Sequence, residues 1–293
     1  MKRREFLVNA ARGLGSAWLA SKLLTDRDVF AAELPPLNQK FNAHDTVTLG
    51  ATGIVTSRLA MGTGTHGGGS RSDQTVLGMT ELTALLLNGY DNGLRFFDTA
   101  DSYGSHPYVA SALKQLPRDK VVVMTKTDNR DANGVKADLE RFRRELGTDY
   151  IDICLVHCVT EADWSTRYRG VMDVLSEAKE KGVIRTHGVS CHSIEALKTA
   201  AATPWVEVDL VRMNPVGAYM DADPETVAGV IKEMRAAGKG IIGMKILGQG
   251  KLRHRQSEAI HYALGLGLLD AFTIGAASKS EQMDLIGRIA AAA

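Results

Sequence analysis

Val121-Val122-Val123-Met124, an amphipathic stretch over residues 135–146 stopped by Gly147, and then Ile151-Asp152-Ile153-Cys154-Leu155-Val156 form the unit that decides the fold. Successive side chains of a strand point to opposite sides, so a continuous apolar run belongs to a strand covered on both faces. A helix between two such runs makes them parallel neighbours. Upstream, the unit recurs at residues 59–61 with a helix over 81–92, and at Phe96-Phe97-Asp98 with a helix over 107–116. Downstream, the run at 151–156 is followed by a helix over 168–181. Then come Gly188-Val189-Ser190 with a helix capped by Ser193, 208–213 with a helix over 225–237, 241–246 with a helix over 256–264, and 271–274 with a last helix from 281. Eight strand-helix pairs over about 235 residues fit a closed (β/α)8 TIM barrel, which typically needs about 250. A doubly wound open sheet, built from the same units, is the alternative.

Ahead of the first pair, Thr46-Val47-Thr48-Leu49-Gly50 and Ile54-Val55-Thr56 flank Ala51-Thr52-Gly53, which predicts a short β-hairpin. The barrel domain is expected over residues 44–293. Gly62-Thr63-Gly64-Thr65-His66-Gly67 has the G-x-G-x-x-G spacing of dinucleotide folds, but Gly68-Gly69-Ser70-Arg71-Ser72 continues it as a polar loop instead of opening a helix. The motif therefore does not argue for the open sheet.

Among 293 residues, 35 basic and 34 acidic side chains leave a net charge of +1, which excludes the basic excess of a nucleic-acid binder. The most apolar window near the N-terminus is broken by Lys22, Asp26, Arg27 and Asp28, so stable membrane insertion is not expected. Three cysteines make no disulfide framework, although Cys158 and Cys191 at neighbouring strand ends are a pair that could bridge.

In a barrel of this kind the chemistry comes from the carboxyl ends of the strands. Asp98, Lys126, His157 and Ser190 stand at four successive ends, and Tyr103 follows the first of them. Phe97-Asp98-Thr99-Ala100-Asp101-Ser102-Tyr103-Gly104, together with Thr125-Lys126 and Leu155-Val156-His157, resembles the aldo-keto reductases. The resemblance implies a barrel that binds NADPH, or less often NADH, and reduces an aldehyde or ketone to the alcohol. Carried over by position, it makes Tyr103 the general acid and Lys126 the ammonium that lowers its pKa. Asp98 holds Lys126, and His157 bonds the carbonyl oxygen or assists proton movement. Taken singly, Asp98 would cap a turn and Tyr103 or Lys126 would be ordinary surface side chains; the combination is what points to a site.

For the cofactor the resemblance implies Thr63, Asp98, Ser190, Cys191, Arg212, Lys245, Leu247, Gly248, Gln249, Gly250, Ser278, Lys279 and Gln282. Three positions depart from the family's pattern. Cys191 stands where Asn is common, Arg212 where Gln is usual, and Met244 where a Tyr stacks on the nicotinamide. Lys279 sits where the family often places a cation for the 2′-phosphate, which favours NADP over NAD. The long closing loop of many members is not expected after the last strand, which leaves Trp164 as the aromatic expected to line the substrate pocket. Cys154, His157, Cys158, Cys191 and His192 are metal-ligand types, but strand alternation sends His157 and Cys158 to opposite faces, so no metal is expected.

Met1-Lys2-Arg3-Arg4-Glu5-Phe6-Leu7 and the mildly apolar stretch after it resemble a twin-arginine export signal over residues 1–32, cleaved near Ala31 or Ala32. The twin-arginine translocase would be its partner and the periplasm its destination; the alternative is an attached amphipathic helix on a cytoplasmic protein. The function expected is an NADPH-dependent reductase acting on a small carbonyl substrate. A cofactor-binding sensor or accessory protein with little turnover, on the same barrel, is the second possibility.

Overall fold

The computed structural model describes residue 37 and residues 39–292, so the expected export signal lies outside the described residues. β1 (Thr46–Thr48) and β2 (Val55–Ser57) pair antiparallel as the hairpin. Eight parallel strands follow: β3 (Leu59–Gly62), β4 (Phe96–Asp98), β5 (Val122–Thr127), β6 (Ile151–Val159), β7 (Ile184–Cys191), β8 (Val208–Arg212), β9 (Gly240–Met244) and β10 (Ala271–Ile274). They stand in chain order around a ring that β10 closes on β3, which makes the fold a (β/α)8 barrel and removes the open-sheet alternative. The covering helices are α1 (Gly78–Asp91), α2 (His106–Leu113), α3 (Ala132–Leu146), α4 (Trp164–Arg167), α5 (Arg169–Glu180), α6 (Ile194–Ala202), α7 (Pro224–Ala236), α8 (Gln256–Gly265) and α9 (Lys279–Ala290).

Strand alternation divides the apolar residues between two cores. Val122 and Met124, Ile153 and Leu155, and Val208 and Leu210 fill the barrel. Val121 and Val123, Cys154 and Val156, and Val211 pack outward against the helices. The same parity carries Lys126, His157 and Arg212 to the inner side at the strands' carboxyl ends. At the opposite end the hairpin closes the floor, with Leu49 and Ile54 buried in the inner core and the Ala51 N–H bonded to the Gly238 carbonyl at 2.8 Å.

Several elements begin or end away from the pattern for local reasons. α3 starts before 135 because Asp131 Oδ1 accepts from Gly134 N at 2.9 Å, and α9 starts before 281 because Ser278 Oγ accepts from Glu281 N at 3.1 Å. The helix expected over 168–181 is α5, and the short α4 precedes it and ends at Tyr168. β6 runs past Val156 through a bulge at which Cys158 takes φ 51°.

Gly188, inside β7, is a steric requirement: a Cβ there would stand 1.8 Å from the Val208 carbonyl oxygen of β8. Gly188→Ala is expected to cost about 1–3 kcal/mol by forcing the two strands apart. A lowered urea midpoint checks this; an unchanged midpoint would mean that the pairing of β7 with β8 yields at no cost.

Candidate active site

Asp98, at the end of β4, and Lys126, in β5, face each other inside the ring. Lys126 Nζ donates to Asp98 Oδ1 at 2.6 Å and to the Thr99 carbonyl at 2.7 Å, while Thr273 Oγ1 of β10 donates to Asp98 Oδ2 at 2.7 Å. The lysine is fully buried. Burial works against its charge, but the carboxylate of Asp98 and the phenol of Tyr103 override it and hold the pKa above the usual lysine value.

Tyr103 closes the short 3-10 turn Asp101–Tyr103, and its ring centroid lies 4.8 Å from Lys126 Nζ. Burial pushes the phenol pKa up, and the Lys126 ammonium recovers only part of that shift. This corrects the expectation that the ammonium would bring Tyr103 below its ordinary value: in this site desolvation is the larger effect. His157 meets the tyrosine edge to face, with ring centroids 5.6 Å apart. Its Nδ1 lies 2.9 Å from Asp128 Oδ1 and 3.4 Å from Ser102 Oγ. Burial, with Lys126 nearby, lowers the His157 pKa despite Asp128, while hydrogen bonds from His157 and Ser102 hold Asp128 below the usual carboxylate range against its own burial. A charged Asp128 fixes the proton of the neutral imidazole on Nδ1, which leaves Nε2 as a lone pair.

A groove of about 280 Å³ runs from Asp98 and Tyr103 past Met244, Lys245, Leu247, Gln249 and Gly250 to Arg253, Glu281 and Asp284 near the start of α9. Ser190 is wholly buried on the inner parity of β7, and its hydroxyl has no hydrogen-bond partner among the described residues. The orphaned hydroxyl lies on the same inner face as Lys126 and His157, and the groove lined by the turn after β9 has both polar and apolar walls, a combination that suits an organic cofactor.

Other expected cofactor residues are placed elsewhere. Cys191 belongs to the outer core, its Sγ 3.5 Å from Asp209 Oδ2, because odd positions of β7 face the helices. Thr63 spends its hydroxyl on the Asp98 carbonyl at 2.8 Å, and Ser278 spends its own on capping α9. Gly248 is buried at φ 54° within its turn. Gln282 accepts from Asn88 of α1 at 2.7 Å, between two helices and away from the groove. Arg212 is neutralised by Asp221, with its Nε at 3.1 Å, whereas Lys245 has no acidic partner among the described residues. Burial and Arg212 push His192 down to about 3, and burial with Arg212 lowers Lys245 as well. Trp164 is also a correction: it is fully buried in the outer core and donates to the Ala196 carbonyl at 3.2 Å, so it lines no substrate pocket.

The bulge in β6 overturns the alternation expected for His157 and Cys158. With Cys158 in the left-handed region, its Sγ stands 3.8 Å from His192 Nε2 and its thiol titrates under the influence of Asp128, Lys126 and Lys245 at the mouth. The three cysteines are free, and Cys158 and Cys191 turn to different partners and form no bridge. Burial raises all three thiol pKa values, that of Cys154 to about 12, which makes the free thiols poor nucleophiles.

Thr273, Asp128, Arg253, Gln256, Glu281 and Asp284 belong to the site or its groove and were not reached from sequence. The parity of β10 could have pointed to Thr273, which shares the inner face with Ala271. Asp128 carries no such signal.

The family model described as "Aldo/keto reductase family" matches residues 58–264. The NADH-specific methylglyoxal reductase of Escherichia coli is 28% identical, over 57% of this chain and 57% of that protein. Aldo-keto reductase YhdN of Bacillus subtilis is 34% identical, over 52% of this chain and 48% of its own length. The chain thus spans about half of these curated relatives. Among solved structures, a Pseudomonas aeruginosa chain superposes with TM-score 0.72 at 23% identity, covering 86% of this chain and 97% of that one. An aldo-keto reductase from Bacillus halodurans in its holo form gives 0.69 at 19%, covering 84% and 91%. At those identities the superpositions speak to the fold alone.

Proposed function

Because the chain belongs to the aldo/keto reductase family, we propose that it is an oxidoreductase exchanging hydride between a nicotinamide dinucleotide and a small aldehyde or ketone, with Tyr103 as the proton donor. The observation that carries this reading is the buried Lys126–Asp98 pair beneath the Tyr103 ring, at the inner end of a groove that runs to the start of α9. Ser190, Met244, Lys245, Leu247, Gln249 and Gly250 would hold the cofactor, which when bound supplies the hydride.

The remaining steps belong to the chain. Tyr103, protonated throughout the neutral range because burial raises its pKa, gives its hydroxyl hydrogen to the carbonyl oxygen. The phenolate left behind faces the Lys126 ammonium, and opposite charges about 4 Å apart attract by roughly 4 kcal/mol in an effective dielectric near 20. Asp98 and the Thr99 carbonyl keep that ammonium in place. His157, with its proton held on Nδ1 by Asp128, offers Nε2 as an acceptor and so serves proton movement, not donation to the carbonyl oxygen. The second reading, a sensor with little turnover, draws on Cys191, whose burial in the outer core leaves Ser190 without the side-chain companion common in the family.

Tyr103→Phe is expected to cut carbonyl reduction at least about a hundredfold with cofactor affinity kept, the usual scale for a lost general acid. The acid must carry its proton to act, so activity is expected to hold through neutral pH and fall only above pH ~10, where a buried phenol ionises. Following nicotinamide absorbance with a panel of small aldehydes, methylglyoxal included, checks both. Tight cofactor binding without turnover would favour the sensor.

For cofactor choice we propose NADPH, read by Lys279 at the start of α9. Replacement by Ala is expected to weaken NADPH binding about ten- to hundredfold while leaving NADH unchanged. The competing feature is that Glu281 and Asp284, not Lys279, line the groove. Unchanged NADPH affinity in the variant would show that Lys279 does not read the 2′-phosphate.

We also propose that residues 1–32 direct twin-arginine export, a route that moves folded proteins and so could carry a bound cofactor. Replacing Arg3-Arg4 by Lys-Lys is expected to shift the protein from the periplasmic to the cytoplasmic fraction. A cytoplasmic protein with Met1 still attached in both forms would end that reading.

A further inference from the structure

The glycine-rich motif after β3 opens no helix, yet two of its glycines are demanded by their surroundings. A Cβ on Gly64 would stand 2.1 Å from Tyr103 Cε2 and 2.4 Å from Cζ; a Cβ on Gly67 would stand 2.5 Å from Cδ1 and 2.9 Å from Cε1. Carbon atoms in contact sit about 3.5–4.0 Å apart, so neither position has room for a side chain while the ring stays where it is. The two missing carbons fall over opposite edges of the ring. Neither glycine takes a positive φ, so space and not backbone conformation imposes them, and Gly68 beside them has nothing within 4 Å of its would-be Cβ.

The loop is fastened as well as bare. Gly67 N donates to the Gly64 carbonyl at 3.0 Å, Thr65 N to Gln74 Oε1 at 2.9 Å, and Asp73 N to the Thr65 carbonyl at 2.9 Å. Ser70 N donates to the Ser102 carbonyl at 2.9 Å, which ties the loop to the turn that carries Tyr103. Lys126 and His157 also lie against the ring. The ring is therefore clamped between a backbone surface and the two charged or polar groups that its hydroxyl works with.

We propose that Gly64 and Gly67 are positioning residues: a side-chain-free stretch of backbone that sets the Tyr103 ring over Lys126 and thereby aims its hydroxyl. This rests on the assignment of Tyr103 as proton donor. A displacement of about 1 Å at a reacting group can cost a hundredfold in rate, and a methyl at either glycine forces a shift of that order.

The test uses the full chain with Gly64→Ala, Gly67→Ala, Gly68→Ala and Tyr103→Phe, each with its thermal melt recorded. The ultraviolet tyrosinate titration of each glycine variant is compared with the same variant carrying Tyr103→Phe, which isolates this one phenol. The expected result for Ala at 64 or 67 is a midpoint moved from its raised value toward the ~10 of a free tyrosine. In the same variants kcat for methylglyoxal should fall about ten- to hundredfold, with the KM for cofactor changed far less. Gly68→Ala is expected to match wild type in both. A wild-type midpoint and kcat in folded Gly64→Ala and Gly67→Ala would overturn the proposal, and equal losses in Gly68→Ala would reduce it to general loop damage. If Gly64→Ala does not fold, Gly67→Ala on the opposite edge of the ring decides. Full activity in Tyr103→Phe would defeat the proton-donor assignment alone, since the titration reads the ring's position without turnover.

Discussion

One buried charge organises this molecule. The Lys126 ammonium has no access to water, and an isolated ammonium in such a place would lose its proton or unfold the site. It stays charged because Asp98 and the Thr99 carbonyl accept from it, and Asp98 in turn is held by Thr273. Those residues come from β4, β5 and β10, two of them sequence neighbours in the ring and the third the strand that closes it. The ion pair is thus complete only in the closed barrel, and the chemistry of the mouth and the closure of the sheet depend on the same three side chains.

Behind that pair, on the helix side of the wall, a second polar assembly holds the segments that carry it. Arg141 of α3 grips Asp101 with two bonds of 2.7 Å and also reaches Asp138 and Glu145. Glu145 bonds His106 Nδ1 at 2.7 Å, and His106 Nε2 bonds Thr125, the residue before Lys126, at the same distance. Asp101 is in the turn of Tyr103. The tyrosine and the lysine are therefore anchored to one helix from opposite sides, and burial keeps His106 neutral within the chain of bonds. Such networks stabilise only when each member is satisfied, which is the case along this path.

How much of this was legible in the sequence follows from the range of each interaction. Strand parity is local, and from it Asp98, Lys126 and His157 could be placed on one inner surface. The bulge after Val156 breaks that parity within a single residue and brings Cys158 to the mouth, where alternation forbade it. Trp164 and Cys191 have the chemistry of pocket residues but face the helices, because orientation at a strand end or loop is settled by what packs behind it. Asp128 and Thr273 were out of reach for a related reason: the partner of a buried polar group comes from whichever strand or loop the ring places alongside. The pKa of Tyr103 went the other way from expectation because the neighbouring charge could be read from sequence, whereas the depth of burial could not.

The hairpin at the floor has a mechanical meaning. Leu49 and Ile54 lay a last apolar layer under a barrel already filled by Val122, Met124, Ile153, Leu155, Val208 and Leu210, and the Ala51 N–H ties that layer to the Gly238 carbonyl. Stability is thus gathered at the amino ends of the strands, while the carboxyl ends carry Asp98, Lys126 and His157. The loops at the mouth share no residue with that floor, so the two ends of the barrel can change independently of each other.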